Sequence, residues 1–112
     1  MQTAKLIIEG RGIEELPALI KEKFKTDYQF TSKEVTVIMK EKFYLRINSN
    51  LLSVIILNYT SKNSCEIEVI AGGGKQGLIS FNWGAEGNMR DQIIDFLKEL
   101  CSSKRWSCNE AI

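Results

Sequence analysis

The sequence predicts an α+β protein: a two-layer sandwich in which an antiparallel meander of five to six strands carries two helices on one face. Three observations lead there. Apolar residues recur at helical spacing near both ends of the chain and alternate in steps of two between them. Short turn signals, Asn48-Ser49-Asn50 and Ser61–Ser64, separate consecutive alternating runs, as they do between antiparallel neighbours. Each run has an apolar side and a mixed side, so one sheet face needs cover and two amphipathic helices can supply it.

The expected order is β-α-β-β-β-β-β-α. "TAKLIIEG" reads as a first strand ending at Gly10 or Gly12. "GIEELPALIKEKF" reads as a helix, with Ile13, Leu16, Ile20 and Phe24 on one stripe and Leu19 beside it. Pro17 disfavours helical geometry at Leu16, so the regular helix is expected to start at Pro17. Glu14 and Glu15 sit at its positive end, and Lys21, Lys23 and Lys25 near its negative end.

From Val35 the period becomes two. "EVTVIMK" is a β-branched run, and "KFYLRIN" alternates Phe43, Leu45 and Ile47 against Tyr44 and Arg46. "LLSVIILNYT" is the most apolar strand and is expected at the centre. "CEIEVIA" turns Cys65, Ile67, Val69 and Ala71 inward and Glu66 and Glu68 outward. "GLISFNW" sets Ile79, Phe81 and Trp83 on one side. The helical period then returns with Met89, Ile93, Phe96, Leu97, Leu100 and Cys101. Asn88 is the expected N-cap, with Asp91 three residues on. The helix is expected to fray near Ser102–Ser103. That leaves one α+β domain over 1–103 and an irregular tail over 104–112.

The chain of 112 residues suits one domain and one core. Fifteen Lys+Arg against 14 Asp+Glu give a net charge of +1, without the basic excess of a dedicated nucleic-acid protein. Lys40, Lys42, Tyr44 and Arg46 form a basic and aromatic hairpin that could meet a single strand, but Glu41, Glu66 and Glu68 dilute it. No apolar run approaches the roughly 18 residues of a membrane span. The start "MQTAKLIIEG" is too short in its apolar part for a signal peptide, so a cytoplasmic location is expected. Cys65, Cys101 and Cys108 are odd in number and show no CxxC spacing, which fits free thiols in a reducing compartment. If the last helix ran on, Cys101 and Cys108 would be two turns apart and beyond disulfide reach. With three cysteines and no histidine, neither a zinc site nor a histidine-based triad is expected, and no cofactor is implied. Cys108, beside Lys104 and Arg105, is the one thiol with a basic setting.

Two stretches invite a site. Gly72-Gly73-Gly74-Lys75 lacks the Ser or Thr of a P-loop, and the segment after it reads as a strand where a phosphate-binding loop would open a helix. Gly72, Gly74 and Gly77 fit GxGxxG by letter alone, with the same objection. The run reads first as a wide hairpin or bulge, and second as an anion or ligand lip. In "NWGAEGN", Trp83 and Glu86 read first as a core aromatic and a helix entry, and second as the wall and polar group of a pocket mouth.

The run from Ala71 to Leu97, "AGGGKQGLISFNWGAEGNMRDQIIDFL", resembles the C-terminal half of a family of small uncharacterised bacterial single-domain proteins of about 110 residues. Gly72, Gly73, Trp83, Gly84 and Glu86 carry the likeness. The resemblance implies an α+β architecture and transfers no catalytic residue.

These readings converge on a non-enzymatic binding domain. Its partner would be a protein, including a second copy of the chain in a homo-oligomer, or a small apolar ligand between sheet and helices. The uncovered sheet face and an edge strand are the natural surfaces for self-association. The alternative is a small enzyme or anion binder using the glycine turn, with Gly72, Gly73, Gly74, Lys75, Trp83 and Glu86 as its ligand-binding residues.

Overall fold

The computed structural model describes residues 2–44, 49–73 and 85–111. Their order is β1 (Gln2–Glu9), a 3-10 turn (Ile13–Glu15), α1 (Leu16–Phe24), β2 (Tyr28–Ser32), β3 (Val35–Tyr44), β4 (Ser49–Ser61), β5 (Ser64–Gly73), α2 (Ala85–Lys104) and β6 (Ser107–Ala111). The strands form a six-stranded sheet in the order β2-β3-β4-β5-β1-β6. Every neighbouring pair is antiparallel. The expected α+β architecture is therefore present. β2 to β5 are its meander, and β1 and β6 close the sheet beside β5.

Burial follows the alternation. Cys65, Ile67, Val69 and Ala71 of β5 are all buried, as are Leu51, Ile55 and Leu57 of β4 and Leu6 and Ile8 of β1. These point to the side covered by both helices. Ile13, Leu16 and Ile20 meet them from the first helical segment, and Ile93, Ile94, Leu97 and Cys101 from α2. Phe24 and Phe96 join the two helices edge to face, with ring centroids 5.3 Å apart. Tyr59 Oη reaches over from β4 and donates to Ile13 O at 2.8 Å, fixing the 3-10 turn on the sheet.

The chain enters its first helix as the proline predicts, with a difference of one residue. The 3-10 turn holds Ile13–Glu15, α1 starts at Leu16, and Pro17 lies in its first turn. Gly12 opens the turn at φ 83°, a left-handed conformation that glycine adopts without a Cβ penalty. At the other end α2 starts at Ala85, so Asn88 sits inside its first turn rather than at the cap. Met89, the next residue, is buried with Leu51 and Ala71.

Three strands differ from the sequence reading. "EVTVIMK" and the start of "KFYLRIN" are one strand, β3, because β4 pairs with it without a break from Val35 to Tyr44. β2 forms at Tyr28–Ser32, where no strand was expected; all five residues are exposed, so no burial pattern marked it. β6 forms in the stretch read as an irregular tail. The chain reverses after α2 with Arg105 at φ 61°, and Trp106 N donates to Cys101 O. Trp106 is then buried, with Nε1 donating to Arg11 O at 2.6 Å, and Ser107–Ala111 pair with β1. "GLISFNW" lies outside the described residues.

Candidate functional site

The ladder registers settle which side chains share the open face of the sheet, opposite the helices. One row across the strands is Tyr28, Met39, Val54, Ile70 and Thr3. The next is Phe30, Val37, Ile56, Glu68 and Lys5. A third is Ser32, Val35, Asn58, Glu66 and Ile7. The face is thus divided. Its β2–β4 side, extended by Ile70, is apolar, and its β5–β1 side carries Lys5, Glu66 and Glu68.

Exposure on the apolar side is large. Tyr28 is 53% exposed, Phe30 52% and Leu52 41%. Half of an aromatic side chain is about 100 Å² of surface, so the two rings alone leave about 200 Å² of ring in water. Leu52 is exposed because its two cross-strand neighbours are Glu41 and Gly72, and Gly72 sets no side chain beside it. Val37, Met39, Val54, Ile56 and Ile70 are half-buried. Most monomers have a largest apolar patch of a few hundred Å², and such patches are often functional. On the charged side a groove of about 280 Å³ runs between Ile7, Ile56, Asn58, Glu66 and Glu68.

A second concavity lies between the layers. Phe24, Ile55, Met89 and Ile93 form its apolar floor, and Lys23, Lys40 and Gln92 stand at its rim, around about 390 Å³. Lys40 Nζ donates to Lys25 O at 3.1 Å, so this ammonium is partly engaged. The cleft is where a small ligand between sheet and helices would enter.

The residues singled out from sequence are spread over this geometry. Gly72 and Gly73 are ladder residues at the end of β5, opposite Leu52 and Leu51. Gly74, Lys75 and Trp83 lie outside the described residues. Glu86 belongs to the first turn of α2, and its side chain is likewise outside them. Of the basic hairpin, Lys40 and Lys42 sit on β3, while Arg46 is outside the described residues. What the sequence reading missed is Tyr28 and Phe30. The signal was present: β3 and β4 are apolar at successive positions as well as alternate ones, which gives them two apolar sides and only one cover.

The ionisable groups in the interior are held neutral. Burial is the main cause that pushes the Cys65 thiol up to about 12. Burial, and next the neighbouring Cys108 sulfur, push the Cys101 thiol to about 12. Burial also raises Tyr59 above the usual phenol range. The reversal at Arg105 folds Cys108 back alongside α2 and against Cys101, so the two-turn separation that a continuous helix would give does not arise. Lys98 Nζ and Glu110 Oε1, 2.9 Å apart, tie α2 to β6. Among the described residues no group of three His, Cys, Asp or Glu side chains could hold a metal ion. No helix among them is long and apolar enough to cross a membrane.

Residues 15–101 match the family of unknown function DUF6054, and the chain belongs to that family. No curated protein and no solved structure matches it.

Proposed function

We propose that this member of DUF6054 is a non-enzymatic binding domain that engages a protein through the open face of its sheet. The observation that carries the reading is the apolar side of that face, with Tyr28, Phe30 and Leu52 each more than two-fifths exposed. A protein interface of ordinary size buries about 800 Å² on each partner, with aromatic residues enriched at its centre and polar residues at its rim. The open face has that layout. Phe30, Val37, Ile56 and Val54 make an apolar centre, and Glu68, Lys5 and Glu66 border it. Its centre is rigid, because β3 and β4 are held on their other side by the core through Ile38, Ile55 and Leu57. A cytoplasmic location fits the three free thiols.

The test is comparative capture. The full chain is immobilised and exposed to an extract of its source, beside a Leu52→Glu/Ile56→Glu variant and a Lys40→Glu variant. The reading expects a discrete protein held by the wild type and by Lys40→Glu and lost from the face variant. An unchanged captured set in the face variant, with its fold verified by circular dichroism, refutes it. The cleft at Phe24, Ile55, Met89 and Ile93 favours a second reading, a small apolar ligand. Native mass spectrometry of the untagged protein checks that reading through a reproducible bound mass that Ile55→Trp removes.

A further inference from the structure

We infer that β2 is a self-pairing edge, joining two copies of the chain strand to strand. The inference concerns the edge of the sheet and does not depend on what covers the open face. Among the described residues β2 is the terminal strand of the sheet, bonded on one side to β3. Its other side presents backbone N–H and C=O groups to solvent, and all five residues are exposed. Proteins protect such edges with charge, proline, bulges or cover. Among the described residues β2 has none of these. Its sequence, Tyr-Gln-Phe-Thr-Ser, is uncharged, lacks proline and is rich in strand-forming residues. Its register with β3 runs unbroken from Tyr28↔Met39 to Ser32↔Val35. The opposite edge is different: β6 carries Glu110, which Lys98 of α2 holds at 2.9 Å.

The chain around β2 is complementary to itself. Antiparallel pairing about a two-fold axis at Phe30 sets Phe30 against Phe30 of the second copy and Gln29 against Thr31. Tyr28 then faces Ser32. Just outside the ladder, the bend residue Asp27 and the turn residue Lys33 of the second copy come to the same end of the paired strands, close enough for a charge pair, and the symmetry makes this contact twice. No like charges meet. A slip of two residues would undo both ion pairs, and a slip of one would turn the aromatic side of one strand against the polar side of the other. One oxygen of Asp27, Oδ2, accepts from Glu41 N of β3 at 2.8 Å, which fixes the carboxylate and leaves its other oxygen for the second copy. Paired this way, the two sheets become one, and Phe30 and Tyr28 of both copies merge the two open faces into one apolar stripe. Five paired residues bury less than a standard interface, so the dimer is weak and reversible.

Sedimentation equilibrium of the full chain tests this. The wild type is expected to show a concentration-dependent monomer–dimer equilibrium. Lys33→Asp sets Asp27 against an aspartate at both ends and is expected to raise the dimer dissociation constant by about tenfold. Aspartate tolerates the left-handed conformation at position 33, where φ is 53°, so the turn survives. Asp27→Lys/Lys33→Asp reverses the charges and is expected to restore the dimer. Gln29→Lys/Thr31→Lys opposes like charges in the middle of the strand and is expected to give monomer, and Gln29→Lys/Thr31→Glu to recover the dimer. A wild type that stays monomeric at millimolar concentration overturns the inference. So does a dimer indifferent to all four edge variants but broken by Leu52→Glu, which would move self-association to the open face. Binding of an unrelated extended peptide at β2 by a strictly monomeric chain overturns the choice of a second copy as occupant.

Discussion

Replacing Trp106 by alanine tests whether the last strand is part of the fold. The indole is 6% exposed and belongs to the main core cluster. Its Nε1 donates to Arg11 O, and its ring lies so close over Gly10 that a Cβ there would collide with Cδ1. Removing a buried aromatic side chain costs about 3–5 kcal/mol, and the abandoned Arg11 carbonyl adds about 1 kcal/mol. Domains of this size have roughly 5–15 kcal/mol in all. Trp106→Ala should therefore lower the melting temperature by about 16–24 °C, at about 4 °C per kcal/mol. Trp106→Phe keeps much of the ring contact and loses the hydrogen bond, so it should cost about 1–2 kcal/mol. Gly10→Ala should be destabilising as well, because the added methyl group displaces the indole. Urea melts followed by far-UV circular dichroism give these values without relying on tryptophan emission. If Trp106→Ala costs less than about 1 kcal/mol, in the range of surface positions, the tail is not anchored and the description of β6 fails.

Other outcomes follow from the same structure. Cys65 and Cys101 titrate from about 9 when unfolded to about 12 when folded, so their stability is fully present below pH 9. Between pH 9 and 12 only the unfolded chain loses these protons, and stability should fall by about 1 kcal/mol per pH unit for each thiol. Melts at pH 8, 9 and 10 check this, and a Cys65→Ala/Cys101→Ala variant should show a shallower decline. Under native conditions at pH 8 a thiol reagent should modify Cys108, which is half-buried, well before the two buried cysteines; uniform labelling of all three would contradict the core assignment. Leu52→Glu should change stability by less than about 0.5 kcal/mol, because the open face contributes little to the core, while reducing binding of a hydrophobic dye. Tyr59→Phe should cost about 1 kcal/mol through the lost bond to Ile13 O, read in the same denaturant melts.

Much of this fold is legible in the sequence because burial imposes a period. The inward set of β5 was readable residue by residue and the stripe of α2 nearly so, Ile94 being the core residue it omitted, since a helix or strand packed on one side repeats its apolar residues at its own pitch. β2 left no such trace. It is exposed on both sides, and only pairing with β3 makes it a strand. β6 was hidden for a related reason. Its residues are short and polar, and the contact that orders it is long-range, from Trp106 back to Gly10 and Arg11. Local pattern does not encode a contact across 95 positions. The open face was half legible. The apolar runs of β3 and β4 announced two apolar sides, and the two amphipathic helices sufficed for one. That Tyr28 and Phe30 extend the uncovered side required the register of β2.

Site-specific photocrosslinking in cells tests the central claim most directly. A benzophenone side chain at Leu52 stands on the open face, and one at Ala18 stands on the exposed side of α1. The account predicts a discrete protein adduct from position 52 and none from position 18. An adduct from position 18 alone would contradict it and move the binding surface to the helices.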